Sequence, residues 1–144
     1  MTIATQRRSQ SAPGWDTRSA SLPVEEFEVL RTWHPNLLLV GPPEATTAAI
    51  EALRGVFRPV IVNWARRTAL PSAPDDGVRT VILHDVESLS PEDQRQLLVW
   101  LKTNFGSVQV VATAGRPLLE LVESAQFDPA LYYALNVVYI KLPS

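Results

Sequence analysis

The sequence predicts an α/β fold, in which a parallel sheet carries helices on both faces. The prediction rests on two observations: the chain contains five short apolar, β-prone stretches, and segments with helical spacing of apolar residues lie between them. A parallel strand reaches its neighbour through a right-handed crossover, which a helix packed on the sheet supplies. Because ligands of such folds bind beyond the carboxyl ends of the strands, we expect any functional site there.

The composition of the 144 residues is that of a globular protein, with 46% apolar and 19% charged residues. We expect one domain over residues 22–144, preceded by a flexible tail over residues 1–21. The net charge of −2 gives no reason to expect nucleic-acid binding. The chain has no cysteine, no zinc-like histidine spacing, no signal sequence and no membrane-spanning run, so we expect a cytoplasmic protein without a metal.

The first elements surround a short loop. Leu22–Trp33 has the spacing of a short amphipathic helix, and Leu37–Val40 is apolar enough for a strand buried on both faces. A glycine and two prolines follow, after which Thr46 or Thr47 is expected to N-cap a second helix.

The remaining elements continue the alternation. They are a second buried strand over Pro59–Asn63, a third strand over Thr80–His84, a helix from Ser90-Pro91 to about Thr103, a fourth strand over Val108–Thr113, helices over Arg116–Ser124 and Pro129–Leu135, and a fifth strand over Val137–Leu142.

The first strand, loop and helix have the layout of a Walker A loop, GxxxxGK[ST], in which backbone N–H groups, a lysine and a hydroxyl hold phosphate and magnesium. Gly41 matches the first glycine, but Thr46 stands at the second, Thr47 at the lysine and Ala48 at the hydroxyl. Glu44 adds a carboxylate where an anion would lie. The layout is therefore present while most of the phosphate chemistry is missing.

Three segments resemble the AAA+ core of bacterial enhancer-binding proteins, the ATPases that remodel RNA polymerase holding the sigma-54 factor. Residues 127–143, FDPALYYALNVVYIKLP, are similar to the family's F-R-x-D-L-Y-Y-R-L-N-V-x-x-I-x-L-P. Residues 81–94, VILHDVESLSPEDQ, resemble the Walker B strand and the following helix, and residues 108–118, VQVVATAGRPL, resemble the sensor I strand. The resemblance implies a three-layer α/β/α, P-loop NTPase-like domain with strand order 5-1-4-3-2 and no helical lid.

The resemblance also implies which positions should carry ATP chemistry, and nearly all of them have changed. The Walker B Asp-Glu pair corresponds to His84-Asp85, or in the alternative register to Asp85-Val86. Ala114 stands at the sensor I position, and Asp128 and Ala134 stand where the family has two arginines that act across the subunit interface. The connection between the second and third strands is too short for the family's Gly-Ala-Phe-Thr-Gly-Ala loop.

These changes predict a catalytically inactive, pseudo-ATPase module without catalytic residues, metal or cofactor, which acts through protein–protein interaction in bacterial transcriptional or signalling regulation. Gly41, Thr46, Thr47 and Asp85 are expected to be the remains of a nucleotide site that no longer functions. The expected partner is a protein, either an active AAA+ enhancer-binding protein or a signalling protein, and neither nucleic acid nor membrane is expected to bind. The oligomeric state stays open.

Two alternatives remain at this point. The Gly41–Thr47 loop would serve a weak nucleotide sensor, or Asp85, Thr113 and Lys141 would form the site of a receiver-like signalling domain that lacks the usual acidic pair after the first strand. His84 is either a general base, a pH-sensitive contact or a hydrogen-bonded structural residue. Tryptophans usually pack in a core, so one that is exposed would mark an interface.

Overall fold

The computed structural model of the chain describes residues 24–64, 70 and 77–143. The predicted tail over residues 1–21 lies outside the described residues. Within these residues there are ten regular elements: α1 Val24–Trp33, β1 Leu37–Val40, α2 Pro43–Leu53, β2 Ile61–Trp64, β3 Thr80–Leu83, α3 Pro91–Thr103, β4 Gln109–Ala114, α4 Leu119–Glu123, α5 Pro129–Leu135 and β5 Val138–Lys141. Short 3₁₀ turns lie at Arg54–Val56 and Val86–Ser88. None of the helices in these ranges is long and apolar enough to cross a membrane.

The five strands form one parallel sheet in the order β2-β3-β4-β1-β5. This is the predicted order, 5-1-4-3-2, read from the other edge. At the centre, Leu37–Val40 pairs in register with Val111–Ala114 on one side and with Val138–Lys141 on the other. All four residues of β1 are buried, because a central strand of such a sheet is covered on both faces.

Helices cover both faces of the sheet, which confirms the three-layer α/β/α architecture. Alternate residues of each strand point to opposite faces, so one strand contributes to two cores. One core joins residues of α3, α4 and α5 to the sheet and contains Leu38, Val81, Leu83, Leu97, Leu121, Leu131 and Leu135. The other joins α1 and α2 to the sheet and contains Leu30, Leu37, Leu39, Ile50, Leu53 and Ile82.

The prediction of a second buried strand over Pro59–Asn63 is wrong in both its bounds and its burial. The strand covers Ile61–Trp64, and Ile61 and Val62 are only half-buried while Asn63 is exposed. The physical reason is its position, since among the described strands β2 pairs only with β3 and lies at the edge of the sheet.

Two helices also differ from prediction. The helix α2 begins at Pro43 rather than after Thr46 or Thr47, and Pro42 occupies the N-cap position. Proline is favoured in the first helical turn, where its missing N–H has no partner to lose, so the helix starts earlier than the threonines suggest. The helix α4 is confined to Leu119–Glu123, inside the predicted Arg116–Ser124. By contrast, α3 begins as predicted, with the Ser90 hydroxyl accepting the Asp93 N–H at 3.1 Å.

Candidate functional site

The carboxyl ends of the strands bring several predicted site residues to one edge of the sheet. We name this the carboxyl edge, defined by Gly41–Thr47, His84–Glu87 and Thr113–Gly115. The Asp85 N–H donates to the buried Thr113 hydroxyl at 3.1 Å. The Gly41 N–H donates to the Ala114 carbonyl at 3.0 Å. Gly41 and Asp85 therefore flank the end of β4, as the fold class predicts.

The loop after β1 offers almost no free N–H groups to a phosphate. Only Gly41 and Pro42 separate the strand from α2, and neither Pro42 nor Pro43 has an N–H. The Gly41 N–H is bound to β4, and the N–H groups of Ala45 and Thr46 both donate to the Pro42 carbonyl, at 2.9 and 3.0 Å. A phosphate loop needs several such groups converging on one point. The remaining N–H of this stretch belongs to Glu44, whose exposed side chain is itself an anion.

Gly41 has a packing role that does not involve phosphate. A Cβ at this position would lie 2.8 Å from the Leu142 Cβ and 3.3 Å from the Leu142 carbonyl oxygen. The chain after β5 is held this close because the Leu142 N–H donates to the Val40 carbonyl at 2.7 Å. The absence of a side chain at Gly41 thus lets two neighbouring strand ends approach each other.

The two threonines of the loop do not lie on it, because both are inside α2. Thr46 is buried, and its hydroxyl donates back to the Pro43 carbonyl at 3.1 Å. Thr47, at the position of the lysine, is exposed, and Ala48 is half-buried without a hydroxyl. The Thr46 hydroxyl is thus used in a hydrogen bond within its own helix and is not directed at a phosphate or a metal ion at the carboxyl edge.

Besides Glu44, the carboxyl edge has two acidic residues, which come from the turn after β3. Asp85 is exposed and adopts a left-handed conformation, φ 56° and ψ 50°, which aspartate tolerates better than most residues. Glu87 is the residue that the sequence analysis missed. One of its carboxylate oxygens accepts the Gly115 N–H at 3.0 Å, while the other is buried without a hydrogen-bond partner. Nothing in the spacing points to Glu87, because the turn Val86–Ser88 is what directs it toward β4.

His84 makes the contact expected of a structural histidine. Its Nε2 lies 3.1 Å from the Oδ1 of Asn63 at the end of the neighbouring strand β2, and the ring is exposed. Within the described ranges, no group of three or more His, Cys, Asp or Glu side chains is arranged to hold a metal ion.

The positions of the family's interface arginines have structural contacts instead. Asp128 caps α5, since its Oδ1 accepts the N–H groups of Ala130 at 2.7 Å and Leu131 at 3.4 Å. The carbonyl of Ala134 accepts the side-chain amide of Asn36 at 3.0 Å. Neither side chain carries the positive charge that the family places there.

The receiver-like alternative is wrong. Receivers have the strand order 2-1-3-4-5, which places the third, fourth and fifth strands side by side. In this chain β1 lies between β4 and β5, so Lys141 on β5 is three strand positions away from Asp85 after β3, roughly 14 Å. The Thr113 hydroxyl is also bound to the Asp85 backbone rather than open to a phosphate.

Comparison with known proteins gives a family match and several structural neighbours. A model of the family described as the sigma-54 interaction domain matches residues 66–144. No curated protein sequence matches the chain. The P-loop NTPase domain of the sigma-54 transport activator from E. coli is 21% identical with a TM-score of 0.55, covering 83% of this chain and 92% of that one.

NtrX from Brucella abortus is similar in two ligand states. Its complex with ATP is 17% identical with a TM-score of 0.59, over 90% of this chain and 35% of NtrX. Its complex with ADP is 15% identical with a TM-score of 0.60, over 96% of this chain and 41% of NtrX. The chain thus spans well under half the length of these NtrX chains, and at such identities the likeness shows the fold alone.

Proposed function

Since the chain belongs to the sigma-54 interaction domain family, we propose that it is a member without ATP chemistry that acts by binding another protein in bacterial transcriptional or signalling regulation. The observation that carries the proposal is the loop after β1. The N–H groups of Gly41, Ala45 and Thr46 donate to the Ala114 and Pro42 carbonyls, and the two prolines have none, so few N–H groups remain to hold a phosphate.

Charge supports the same proposal. Binding of a nucleoside triphosphate needs cations to offset the phosphates, and the family supplies them as a lysine, a magnesium ion and arginines. Here Thr47 stands at the lysine position and Ala48 at the position of the hydroxyl that holds magnesium. Asp128 and Ala134 stand at the positions of the two arginines. Loss of an arginine finger alone costs about 10³–10⁵ in rate where it has been measured in GTPases. ATP turnover by this chain is therefore not part of the proposed role.

The proposed partner is a protein of the same regulatory system, either an active AAA+ sigma-54 activator or a signalling protein that controls one. The family takes its name from an interaction with a protein, the sigma-54 factor. The described fold has the five-stranded sheet and a helical layer on each face, so it offers a partner an ordered surface. By this proposal the fold binds another protein although it no longer binds nucleotide.

Titration calorimetry with ATP and ADP in magnesium tests the proposal. We expect no saturable heat for dissociation constants up to about 1 mM, which corresponds to some −4 kcal/mol. The variant Thr47→Lys is also expected not to bind, because one lysine does not free the N–H groups of the loop. NtrX from Brucella abortus, known in complex with ATP, is the positive control. Saturable binding to the unaltered chain would contradict the proposal and make the protein a nucleotide sensor.

A further inference from the structure

A large open feature of the described residues lies at the edge of the sheet opposite the carboxyl edge. It is a cavity of about 770 Å³ that borders the amino ends of β1, β4 and β5. Its walls come from the end of α1, the end of α3 with the turn that follows, and α5. We name it the amino-edge groove, defined by its lining residues, which are Trp33–Asn36, Arg58, Leu98, Trp100–Lys102, Asn104–Gly106, Val108, Ala130, Tyr133, Ala134 and Val137. A cavity of this size is in the range that ligands and peptide anchors occupy.

Four large side chains on this groove are exposed although they are apolar or aromatic. The exposed fractions are 75% for Trp33, 87% for Phe105, 69% for Tyr133 and 43% for Val137. The Tyr133 ring is steadied by an edge-to-face contact with Tyr132, with ring centroids 5.2 Å apart. Single exposed apolar residues are common on protein surfaces, but several that converge on one concave site mark an interface.

The wall formed by α5 is open because its residues are small. Ala130 and Ala134 lie one helical turn apart and both line the groove. Ala134 stands where the family has an arginine, so the change that removes a cation also leaves space beside Tyr133. A long side chain at Ala134 would fill part of the groove.

The charged groups that line the groove are all basic or titratable to a cation. They are His34, Arg58 and Lys102, and no aspartate or glutamate is among the described residues of the lining. The Nε of Arg58 is buried without a hydrogen-bond partner. A buried N–H that has lost its water and has no other partner raises the free energy of the folded protein. A carboxylate is the partner that a guanidinium binds most strongly.

We propose that the amino-edge groove binds a short acidic peptide segment of a partner protein. A carboxylate of the peptide pairs with Arg58, and one or two aromatic or aliphatic side chains pack among Trp33, Phe105 and Tyr133. This is the usual division in peptide recognition, in which a few anchored apolar side chains give affinity and charged groups select the partner. The inference rests on the proposed function only in taking the partner to be a protein.

Charge also argues against two other occupants. The chain's own residues 1–23 contain Arg7, Arg8 and Arg18 but only one acidic residue, Asp16, so they do not complement a basic groove. A second copy docking symmetrically would bring the same basic patch onto itself, because a two-fold interface pairs identical surfaces. An acidic segment of a different protein fits the charges of the groove.

Selection of peptides from a random phage-displayed library, with segments of about nine residues, tests the proposal on the full chain. We expect the selected peptides to share aspartate or glutamate next to aromatic or leucine residues. Synthetic copies should bind with an affinity that Arg58→Gln and Phe105→Ser each lower by about tenfold or more. The exposed residues Arg54 and Val99 lie outside the groove, so Arg54→Gln and Val99→Ser are matched controls that should change affinity less than about twofold. Lys102→Gln gives a second test of charge should Arg58→Gln fail to fold.

Four outcomes would overturn the proposal. They are the absence of any enriched peptide, enriched peptides without acidic residues, equal binding by Arg58→Gln and the unaltered chain, and a dimer of the unaltered chain in sedimentation that Phe105→Ser abolishes. Its failure is distinguishable from that of the proposed function. If the chain binds ATP and also selects acidic peptides, the proposed function is contradicted and the peptide-binding groove is supported. If it binds neither, the groove proposal is contradicted and the proposed function still stands.

Discussion

At position 41 a side chain would collide with the segment that follows β5. A Cβ there would come within 2.8 Å of the Leu142 Cβ, whereas at Gly55 it would meet nothing within 4 Å. We therefore expect Gly41→Ala to lower the free energy of unfolding by about 1–3 kcal/mol. Gly55→Ala is the matched control and should shift it by less than about 1 kcal/mol. Urea unfolding of both variants measures the difference, and equal values would mean that Gly41 has no packing role.

His34 gives the stability of the protein a dependence on pH. Partial burial, and then the nearby Arg58 guanidinium, lower the pKa of His34 from its ordinary value of 6.5. The unfolded chain then binds a proton at His34 more readily than the folded chain, so stability rises with pH. This contribution is complete above about pH 6.5 and is lost as the pH falls through the lowered pKa of the folded state.

The variant His34→Asn tests this dependence. Asparagine is tolerated at the positive φ of 51° that residue 34 adopts, and it does not titrate. We expect the free energy of unfolding of the unaltered chain to fall more steeply between about pH 7 and pH 5 than that of the variant. Chemical denaturation at a series of pH values measures the two slopes, and parallel slopes would exclude the contribution of His34.

At the scale of elements, one buried side chain connects the helix α3 to the segment that enters α5. The Nε2 of Gln94 donates to the carbonyls of Leu89 and Gln126, both at 3.1 Å. Its Oε1 accepts the N–H of Asp128 at 2.8 Å, and the side chain is buried. Each of these backbone groups would lose a partner if the amide were removed, and an unsatisfied buried polar group costs about 1–3 kcal/mol.

Replacement of this glutamine by methionine keeps the length of the side chain and removes the amide. We expect Gln94→Met to lower the free energy of unfolding by about 2–4 kcal/mol. Gln96 is on the same helix but exposed, and its amide donates only to the Glu92 carboxylate at 2.9 Å. Gln96→Met should therefore cost less than about 0.5 kcal/mol. Thermal and urea unfolding of the pair test the bridge, which a loss of similar size in both variants would disprove.

The elements that the sequence predicted well are those whose signals are local. Leu37–Val40 is bounded by a glycine, and Ser90 with the following proline starts α3 where the pattern places it. The start of α2 was predicted too late because the threonines at 46 and 47 are good N-cap residues. The proline at residue 43 is equally compatible with a first helical turn, and the helix begins there. The edge position of β2 could not be read from its apolar residues, since edge and central strands differ in their neighbours rather than in their composition.

The site was predictable to the extent that the sheet determines it. Parallel strands place Gly41 and Asp85 at one edge, whereas the contact of Glu87 with Gly115 depends on the turn between them. The groove lay beyond prediction because it joins the ends of three elements that are distant in the chain. Trp33, which we expected to be packed as tryptophans usually are, is instead exposed beside the groove, and only the structure shows it.

At the scale of the molecule, the two surfaces lie at opposite edges of the sheet and differ in charge. The carboxyl edge presents Glu44, Asp85 and Glu87, whereas the groove is lined by Arg58 and Lys102. Because the surfaces share no described residue, substitutions at one should leave the other unchanged, as expected for sites that are far apart.

The proposed pairing with an active AAA+ activator predicts an effect on that enzyme. In the family the chain resembles, an arginine acts across the subunit interface, and this chain has Asp128 and Ala134 in the two arginine positions. A subunit of this chain within such an assembly would leave the adjoining ATP site without its arginine, at a cost of about 10³–10⁵ in rate by analogy with GTPases. We therefore expect ATP turnover by an active sigma-54 activator of the family to fall when this chain is added in excess.

The double variant Asp128→Arg with Ala134→Arg is the matched control for this effect. It returns the two cations and should inhibit less, although loss of the Asp128 cap is expected to cost α5 about 0.5–2 kcal/mol. Stronger inhibition by the unaltered chain than by the variant would place its action at the subunit interface. Turnover that stays unchanged at stoichiometric excess, with no complex seen in sedimentation, would mean that the partner is not an AAA+ subunit. The proposed role would then narrow to a signalling protein.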